Sequence, residues 1–215
     1  MNLAIMASGR GSNAAAILQA VDHGALTARV TALICNRNDA GAIEVAGKHN
    51  VPSHVVTRRQ FASREAQQER MLELLRASNT EFVALAGFNA ILCPSIVAEY
   101  PNRILNIHPS LLPAFGGGIA PEPQAEALHA GVKITGCTVH LVTDIVDAGP
   151  IVAQAAVPVM TNDTVDSLST RILEQEHRIY PIALQWFVDD HVHIADGRVQ
   201  VNSAVSQAAW PNNAR

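Results

Sequence analysis

The sequence predicts an α/β fold, a Rossmann-like, doubly wound and mostly parallel sheet, and three observations point to it. Short apolar segments, typical of strands buried on both faces, alternate with helical patterns through the first half of the chain. A glycine-rich turn, Gly-Arg-Gly-Ser-Asn-Ala at residues 9–14, separates the first such segment from a helical pattern. Asn106 and His108 stand where a later apolar segment breaks at a proline.

The order of the expected elements follows from hydrophobic periodicity and from turn residues. The first half should contain strands at residues 3–7, 30–35, 53–56, 82–86 and 104–107, with helices at 14–21, 40–49, 63–78 and 95–100. After residue 109 we expect a glycine- and proline-rich loop (111–123), a short helix (124–130), two strands (136–142 and 151–157), a long C-terminal helix (164–189) and a small terminal hairpin (191–194 with 199–201). The polar tail at residues 203–215 is expected to be frayed.

Composition favours a globular cytoplasmic protein. Hydrophobic residues make up 48% of the chain and charged residues 16%, and the net charge of −4 gives no general reason to bind nucleic acid. Apolar runs fall far short of the roughly 20 residues of a membrane span, and the N-terminus is expected to be a first strand and not a signal peptide. Cys35, Cys93 and Cys137 are expected to be buried thiols, with no disulfide framework or zinc pattern.

The glycine turn is typical of a phosphate site, because glycines permit a tight turn and free N–H groups at a helix N-terminus attract anions. A nicotinamide dinucleotide would also require an acidic residue after the second strand. The sequence has Cys-Asn-Arg-Asn there, at residues 35–38, which leaves only a weak case for NADP. A monophosphate held by Gly11, Ser12 and Asn13 is favoured over a plain strand-to-helix turn.

Asn106 and His108 are expected to share one face of a strand, since residues two apart point the same way. In open parallel α/β sheets, ligands bind at the carboxyl ends of the strands. The pair can therefore converge on one substrate atom. The alternative is that the two side chains only cap the strand and satisfy a turn.

Five motifs together resemble the phosphoribosylglycinamide formyltransferases, the folate-dependent enzymes of purine synthesis. They are Ser-Gly-Arg-Gly-Ser-Asn (8–13), Leu-Ala-Gly-Phe (85–88), Asn-Ile-His-Pro-Ser-Leu-Leu-Pro (106–113), Gly-Cys-Thr-Val-His (136–140) and Val-Asp-Ala-Gly-Pro (146–150). The resemblance covers the chain to about residue 190. It implies a single formyltransferase domain over residues 1–190, with a phosphate-binding half (1–100) and a folate-binding, catalytic half (101–190), followed by the terminal hairpin and tail (191–215).

The resemblance also implies the roles of individual residues. The catalytic set would be Asn106, His108 and Asp147. The phosphate and ribonucleotide would be bound by Gly11, Ser12, Asn13, Gly87, Pro109 and Glu176. The folate would contact Arg64, Phe88, Asn89, Ala90, Ile91, Leu92, Asn106, Val142, Asp144 and Asp147. His140 remains open between a core residue and a substrate neighbour.

The reaction implied is transfer of a formyl group from 10-formyltetrahydrofolate to the primary amine of glycinamide ribonucleotide. Negative charge develops on the formyl oxygen, and the amide of Asn106 and a protonated His108 are suitable donors to it. Losing one such donor typically costs about 100- to 1000-fold in rate. Asp147 would favour the charged imidazole, orient it and fix a water that relays the proton of the amine. We expect no metal, no nucleic-acid or membrane partner, and a monomer or homodimer.

Two segments depart from the family pattern. After Pro113 the loop at residues 114–123 is longer than usual, has three consecutive glycines and lacks the usual histidine, and it is expected to lie over the reacting groups. The run Phe-Asn-Ala-Ile at 88–91 replaces a more frequent Met-Arg at its centre. The alternatives are a formyltransferase acting on methionyl-tRNA or on a nucleotide-linked amino sugar, a deformylating hydrolase, and a non-catalytic nucleotide-binding module.

Overall fold

The protein is built on a central sheet, seen in a computed structural model that describes residues 1–202; the tail expected to be frayed lies outside them. Seven strands form this sheet: β1 (Asn2–Ala7), β2 (Arg29–Cys35), β3 (Ser53–Val55), β4 (Phe82–Leu85), β5 (Ile104–His108), β6 (Ile134–Leu141) and β7 (Ile151–Pro158). Their spatial order is β3-β2-β1-β4-β5-β6-β7. The pairs from β3 to β5 are parallel, whereas β6 and β7 join antiparallel. The predicted mostly parallel, doubly wound sheet is confirmed.

Helices cover both faces of the sheet. They are α1 (Ser12–Asp22), α2 (Gly41–Lys48), α3 (Arg64–Ala77), α4 (Pro94–Glu99), α5 (Glu122–Ala130) and α6 (Val165–Val188), with a 3-10 turn at Arg58–Gln60. Strands β8 (Val192–Ala195) and β9 (Arg198–Val201) form the small terminal hairpin. The predicted long C-terminal helix and hairpin are therefore both present.

The core lies in two apolar layers, one on each face of the sheet. Strands β1 and β4 are buried almost end to end, as their unbroken apolar sequences predict. Helix α6 is anchored beneath β4 and β5, because the hydroxyl of its buried Tyr180 lies within hydrogen-bond distance of the carbonyl oxygens of Leu85 (3.1 Å) and Leu105 (2.9 Å). This anchor holds the next turn of α6, with Glu176, close to the ends of those strands.

The sheet has its topological switch point between β1 and β4. From β1 the chain continues outward to β2 and β3 on one side, and β4 and β5 lie on the other side. Loops that leave neighbouring strands in opposite directions open a crevice at their carboxyl ends, where ligands of such folds bind. The glycine turn follows β1, the segment 86–92 follows β4, and His108 ends β5.

Most element boundaries differ from the expectation by one or two residues, and two of these differences have a clear physical reason. Strand β5 extends to His108 and not only to residue 107, because His108 pairs with Thr138 of antiparallel β6. Helix α5 begins at Glu122 and not at Gln124, since Pro123 lies in the first turn, where its missing N–H is not needed.

Cys35, Cys93 and Cys137 are buried free thiols, as predicted. Within residues 1–202, no helix combines the length and apolar character that crossing a membrane requires.

Candidate active site

A cleft of about 890 Å³ opens at the switch point. It is lined by the glycine turn, by the segments that follow β4 and β5, and by helix α6. Parts of the loop 114–123 and of the turn between β6 and β7 complete the enclosure. All the residues predicted for the site, except Arg64, line this cleft.

The glycine turn is shaped to leave amide groups free. Gly11 adopts a left-handed conformation (φ +84°) and lies so close to the backbone of Ala42 that a side chain would collide with it. Gly11 is also the N-cap of α1, and no side chain caps the first-turn N–H groups among the residues described. These groups are therefore available to an anion, together with the positive end of the helix dipole.

The side chain of Asn13 is bonded within the protein, and the expectation that Asn13 helps to hold a phosphate stays a prediction. Its Nδ2 donates to Glu176 Oε2 at 2.7 Å, and both residues are buried. Burial raises the pKa of Glu176 to about 7, although the hydrogen bond from Asn13 opposes the rise. Asn13 and Glu176 thus form one polar unit that joins α1 to α6 at the inner end of the cleft.

The strand ends bring four polar side chains together. Asp147 Oδ2 lies 3.4 Å from His108 Nδ1, and Asp147 Oδ1 lies 3.5 Å from His140 Nε2. His140 Nε2 in turn lies 3.1 Å from Asn106 Nδ2, because β6 places His140 directly opposite Asn106. Asn106, His108 and Asp147 therefore converge as predicted, and His140 connects two of them.

The protonation of His140 follows from its second ring nitrogen. Nδ1 lies 3.0 Å from the carbonyl oxygen of Leu141, which can only accept, so Nδ1 carries a proton. In the neutral ring Nε2 then accepts from the amide of Asn106. That contact fixes the orientation of the amide and leaves its second N–H free for a ligand.

The long loop after Pro113 closes over the pair of His108 and Asp147 with backbone groups, as its position in the sequence predicted. His108 Nε2 lies 2.9 Å from the carbonyl oxygen of Phe115, and Gly117 N donates to Asp147 Oδ2 at 2.8 Å. Burial raises the pKa of Asp147, but a hydrogen bond from His140 in its protonated form, the hydrogen bond from Gly117 and the charge of the protonated histidines outweigh it. The net pKa lies below the usual value, so Asp147 is a carboxylate at neutral pH.

The family can now be assigned. The family model described as Formyl transferase matches residues 1–184. A phosphoribosylglycinamide formyltransferase of Escherichia coli is 37% identical over 215 residues, which cover 100% of this chain and 95% of that protein. The chain belongs to the formyl transferase family.

Other proteins of the family are similar to most of this chain. A glycinamide ribonucleotide transformylase from Symbiobacterium toebii, known as a crystal structure, superposes with a TM-score of 0.90 at 42% identity, covering 94% of this chain and 93% of that one. The trifunctional purine biosynthetic protein adenosine-3 of Bos taurus is 39% identical over 198 residues, 92% of this chain but only 19% of that larger protein. The resemblance that the five motifs carry is confirmed, and this formyl transferase is an enzyme that uses a folate co-substrate.

Most of the residues predicted for the folate line the cleft in two segments. Phe88 to Leu92 follow β4, and Val142 and Asp144 follow β6. The side chains of Ile91 (59% exposed) and of Ile145 (69% exposed) leave apolar surface open there. Such surface suits a flat aromatic ligand, and the individual contacts remain predictions.

Arg64 is the one predicted residue that the structure places away from the cleft. It is the first residue of α3, it is exposed, and its Nε lies 3.4 Å from the carboxylate of Glu65. A role at the distal end of an extended folate stays a prediction.

Sequence reasoning missed several lining residues of this formyl transferase. Helix α6 contributes a stripe of them at helical spacing, and α5 contributes one side chain: Asp166, Ser169, Thr170, Leu173 and Gln124. The stripe was detectable, since Glu176 was assigned to the site and residues three, seven and ten positions earlier share its face. Gln124 had no such signal, because the start of α5 was misplaced.

No group of three or more His, Cys, Asp or Glu side chains in the described part of the chain is arranged to hold a metal ion.

Proposed function

We propose that this enzyme transfers the formyl group of 10-formyltetrahydrofolate to the primary amine of glycinamide ribonucleotide, in purine biosynthesis. The relatives named for that activity span the length of this chain. The observation that carries the proposal is the convergence of Asn106, His108 and Asp147 in the cleft that the glycine turn and the segment 88–92 also line. A phosphate at one end and a folate at the other would bring amine and formyl group together at these three residues.

Covalent change is confined to the substrates. The neutral amine forms a bond to the formyl carbon, the C=O electron pair moves onto oxygen, and the bond to the folate N10 then breaks. Asn106 offers its free N–H to the oxygen, since its other N–H is used by His140. Such donors accelerate the reaction because they are already in place when the charge develops.

His108 supplies the second donor. Its Nε2 is held by a carbonyl oxygen, so Nδ1 is the nitrogen that faces the cleft and Asp147. With a proton already on Nε2, Nδ1 carries a proton in the charged form of the ring. Its distance of 3.4 Å to Asp147 is longer than the roughly 2.7–2.9 Å of a tight charge-assisted hydrogen bond, which leaves this N–H available to the formyl oxygen. The carboxylate of Asp147 takes up the proton that the attacking amine loses, directly or through a water, and passes it to the leaving N10.

A spectrophotometric transfer assay with glycinamide ribonucleotide and 10-formyltetrahydrofolate tests the proposal. We expect steady turnover that requires both substrates. Hydrolysis of the formyl folate at the same rate without the ribonucleotide would instead indicate a deformylase. Turnover with methionyl-tRNA or an amino-sugar nucleotide, and none with the ribonucleotide, would assign a different amine.

A further inference from the structure

A buried glutamine of α3 is hydrogen-bonded to the segment that follows β4. Gln68 Nε2 donates to the carbonyl oxygen of Ile91 at 2.8 Å, and Gln68 Oε1 accepts from the N–H of Cys93 at 2.6 Å. Only one orientation of the amide makes both bonds, because the reverse would set oxygen against oxygen. The side chain of Gln68 is 1% exposed and does not line the cleft. Its hydrogen bonds thus reach the cleft through the backbone of this segment.

The two bonds of Gln68 reproduce the pairing of a parallel strand. In a parallel pair, one residue bonds to the C=O and the N–H of the two residues that flank its neighbour, and here Ile91 and Cys93 flank Leu92. The backbone of Cys93 is accordingly extended, with φ −70° and ψ 149°. Side chains of an extended segment alternate in direction, so Leu92 is buried in the core while Ile91 stays open to the cleft.

Little else holds this part of the segment. Before it, the N–H of Asn89 donates to Ser8 Oγ at 2.9 Å. Among the residues that the structure describes, the backbone of residues 90–92 has no hydrogen-bond partner other than Gln68. The position of these residues therefore depends on Gln68 and on the packing of Leu92.

We propose that Gln68 is a positioning residue, which sets the affinity for 10-formyltetrahydrofolate by holding residues 91–93 in place and does not itself touch the folate. The proposal rests on the proposed function, since it takes residues 88–92 as the folate-binding segment that the sequence predicts. A segment that must be ordered when its ligand binds loses affinity to that ordering. Gln68 orders this segment before the ligand arrives.

Steady-state kinetics of Gln68→Met tests this role. The change keeps the size of the side chain and removes both hydrogen bonds to the segment. We expect KM for 10-formyltetrahydrofolate to rise about 5- to 30-fold, the value of one or two hydrogen bonds, with kcat and KM for the ribonucleotide unchanged. A general structural defect would instead reduce the amount of active enzyme and would not separate one KM from the other.

Gln67→Met is the matched control. Gln67 precedes Gln68 on α3 and is also buried, but its Nε2 donates to the carbonyl oxygen of Val56 at 2.7 Å and it does not line the cleft. Both variants should unfold at a lower urea concentration than wild type, because each leaves a backbone group without its partner. Gln67→Met should keep the wild-type KM for the formyl folate. An equal KM in the two variants overturns the positioning role.

Amide hydrogen exchange of the ligand-free wild type is a second test, which requires no variant to fold. The N–H of Cys93 should exchange slowly, because Gln68 accepts from it, whereas the unpaired N–H groups of residues 90–92 should exchange quickly. Exchange of Cys93 as fast as that of residues 90–92 would show that Gln68 does not hold the segment, and it overturns the proposal.

Calorimetric titration with tetrahydrofolate separates the positioning role from the proposed function. Weaker binding by Gln68→Met than by Gln67→Met supports the role of Gln68. If that result accompanies a wild type that transfers no formyl group to the ribonucleotide, the proposed function is overturned and the positioning role stands. A wild type that binds no tetrahydrofolate overturns both.

Discussion

The Nε2 atom of His108 lies 2.9 Å from the carbonyl oxygen of Phe115. A carbonyl oxygen only accepts hydrogen bonds, so this contact holds a proton on Nε2 and directs Nδ1 to Asp147. The loop that departs most from the family pattern thus fixes which ring nitrogen of His108 faces Asp147. Because Gly117 of the same loop donates to Asp147, the loop is part of the catalytic arrangement and not only a cover.

Replacing Gly117 by alanine should therefore slow the reaction. Gly117 has φ +85°, and a side chain there costs about 1–2 kcal/mol although the space around it is open. We expect relaxation of that strain to move the N–H away from Asp147 and to lower kcat severalfold. Gly197→Ala is the control, because Gly197 has φ +69° and open space in the distant β8–β9 turn. Gly197→Ala should lose a similar amount of stability and keep the kcat of wild type. Equal kcat values in Gly117→Ala and Gly197→Ala would contradict the role of the loop.

His140 should act as a positioning residue. Its Nε2 holds the amide of Asn106, so His140→Leu should leave that amide free to rotate and lower kcat up to about tenfold, with little change in KM for either substrate. His140→Gln restores an acceptor and should recover part of the lost rate. Steady-state kinetics of both variants decides the point. A large rise in KM with an unchanged kcat would show that His140 binds substrate instead.

Glu176 should make the stability of the ligand-free enzyme depend on pH. Its pKa is about 7 in the folded protein and near 4.3 when unfolded, so the folded state binds more protons between these values. Stability should therefore fall as pH rises through this window and then level off. Glu176→Gln stays neutral, so its unfolding free energy relative to wild type should be greater at pH 8 than at pH 5, by up to about 3 kcal/mol.

Urea unfolding at the two pH values measures this difference. Glu44→Gln is a suitable control, since the exposed Glu44 pairs with Lys48 and its pKa is lowered. Glu44 is therefore largely ionised in both the folded and the unfolded state at pH 5 and at pH 8, and its replacement should change the unfolding free energy by nearly the same amount at the two pH values. If the unfolding free energy changes equally with pH in wild type and in Glu176→Gln, ionisation of Glu176 costs the folded protein no stability, and the prediction is wrong.

Much of the fold could be predicted because its signals are local. Buried strands such as β1 and β4 are continuous apolar runs, and the turn at residues 9–14 carries its own glycines. That Asn106 and His108 share one face followed from a single rule, that side chains two residues apart in a strand point the same way. Asp147 required the family resemblance, because nothing local distinguishes it from Asp144 in the same turn.

The remaining features of the site depend on contacts between distant parts of the chain. His140 reaches Asn106 through the register of an antiparallel pair, which the sequence does not state. The groups of Phe115 and Gly117 that matter are backbone atoms, and backbone atoms leave no residue signature. The side chain of Asn13 reaches Glu176 because α6 packs against α1, a contact between residues 163 positions apart.

The most direct test is a mutant cycle of kcat for formyl transfer in wild type, His108→Ala, Asp147→Asn and the double variant. If His108 and Asp147 act as one unit, each single change should cost about 100-fold or more, and the double variant should be no slower than the slower single variant. Losses that multiply in the double variant would show that the two residues act independently. An unchanged kcat in Asp147→Asn would contradict the central claim that Asp147 acts in the reaction together with His108.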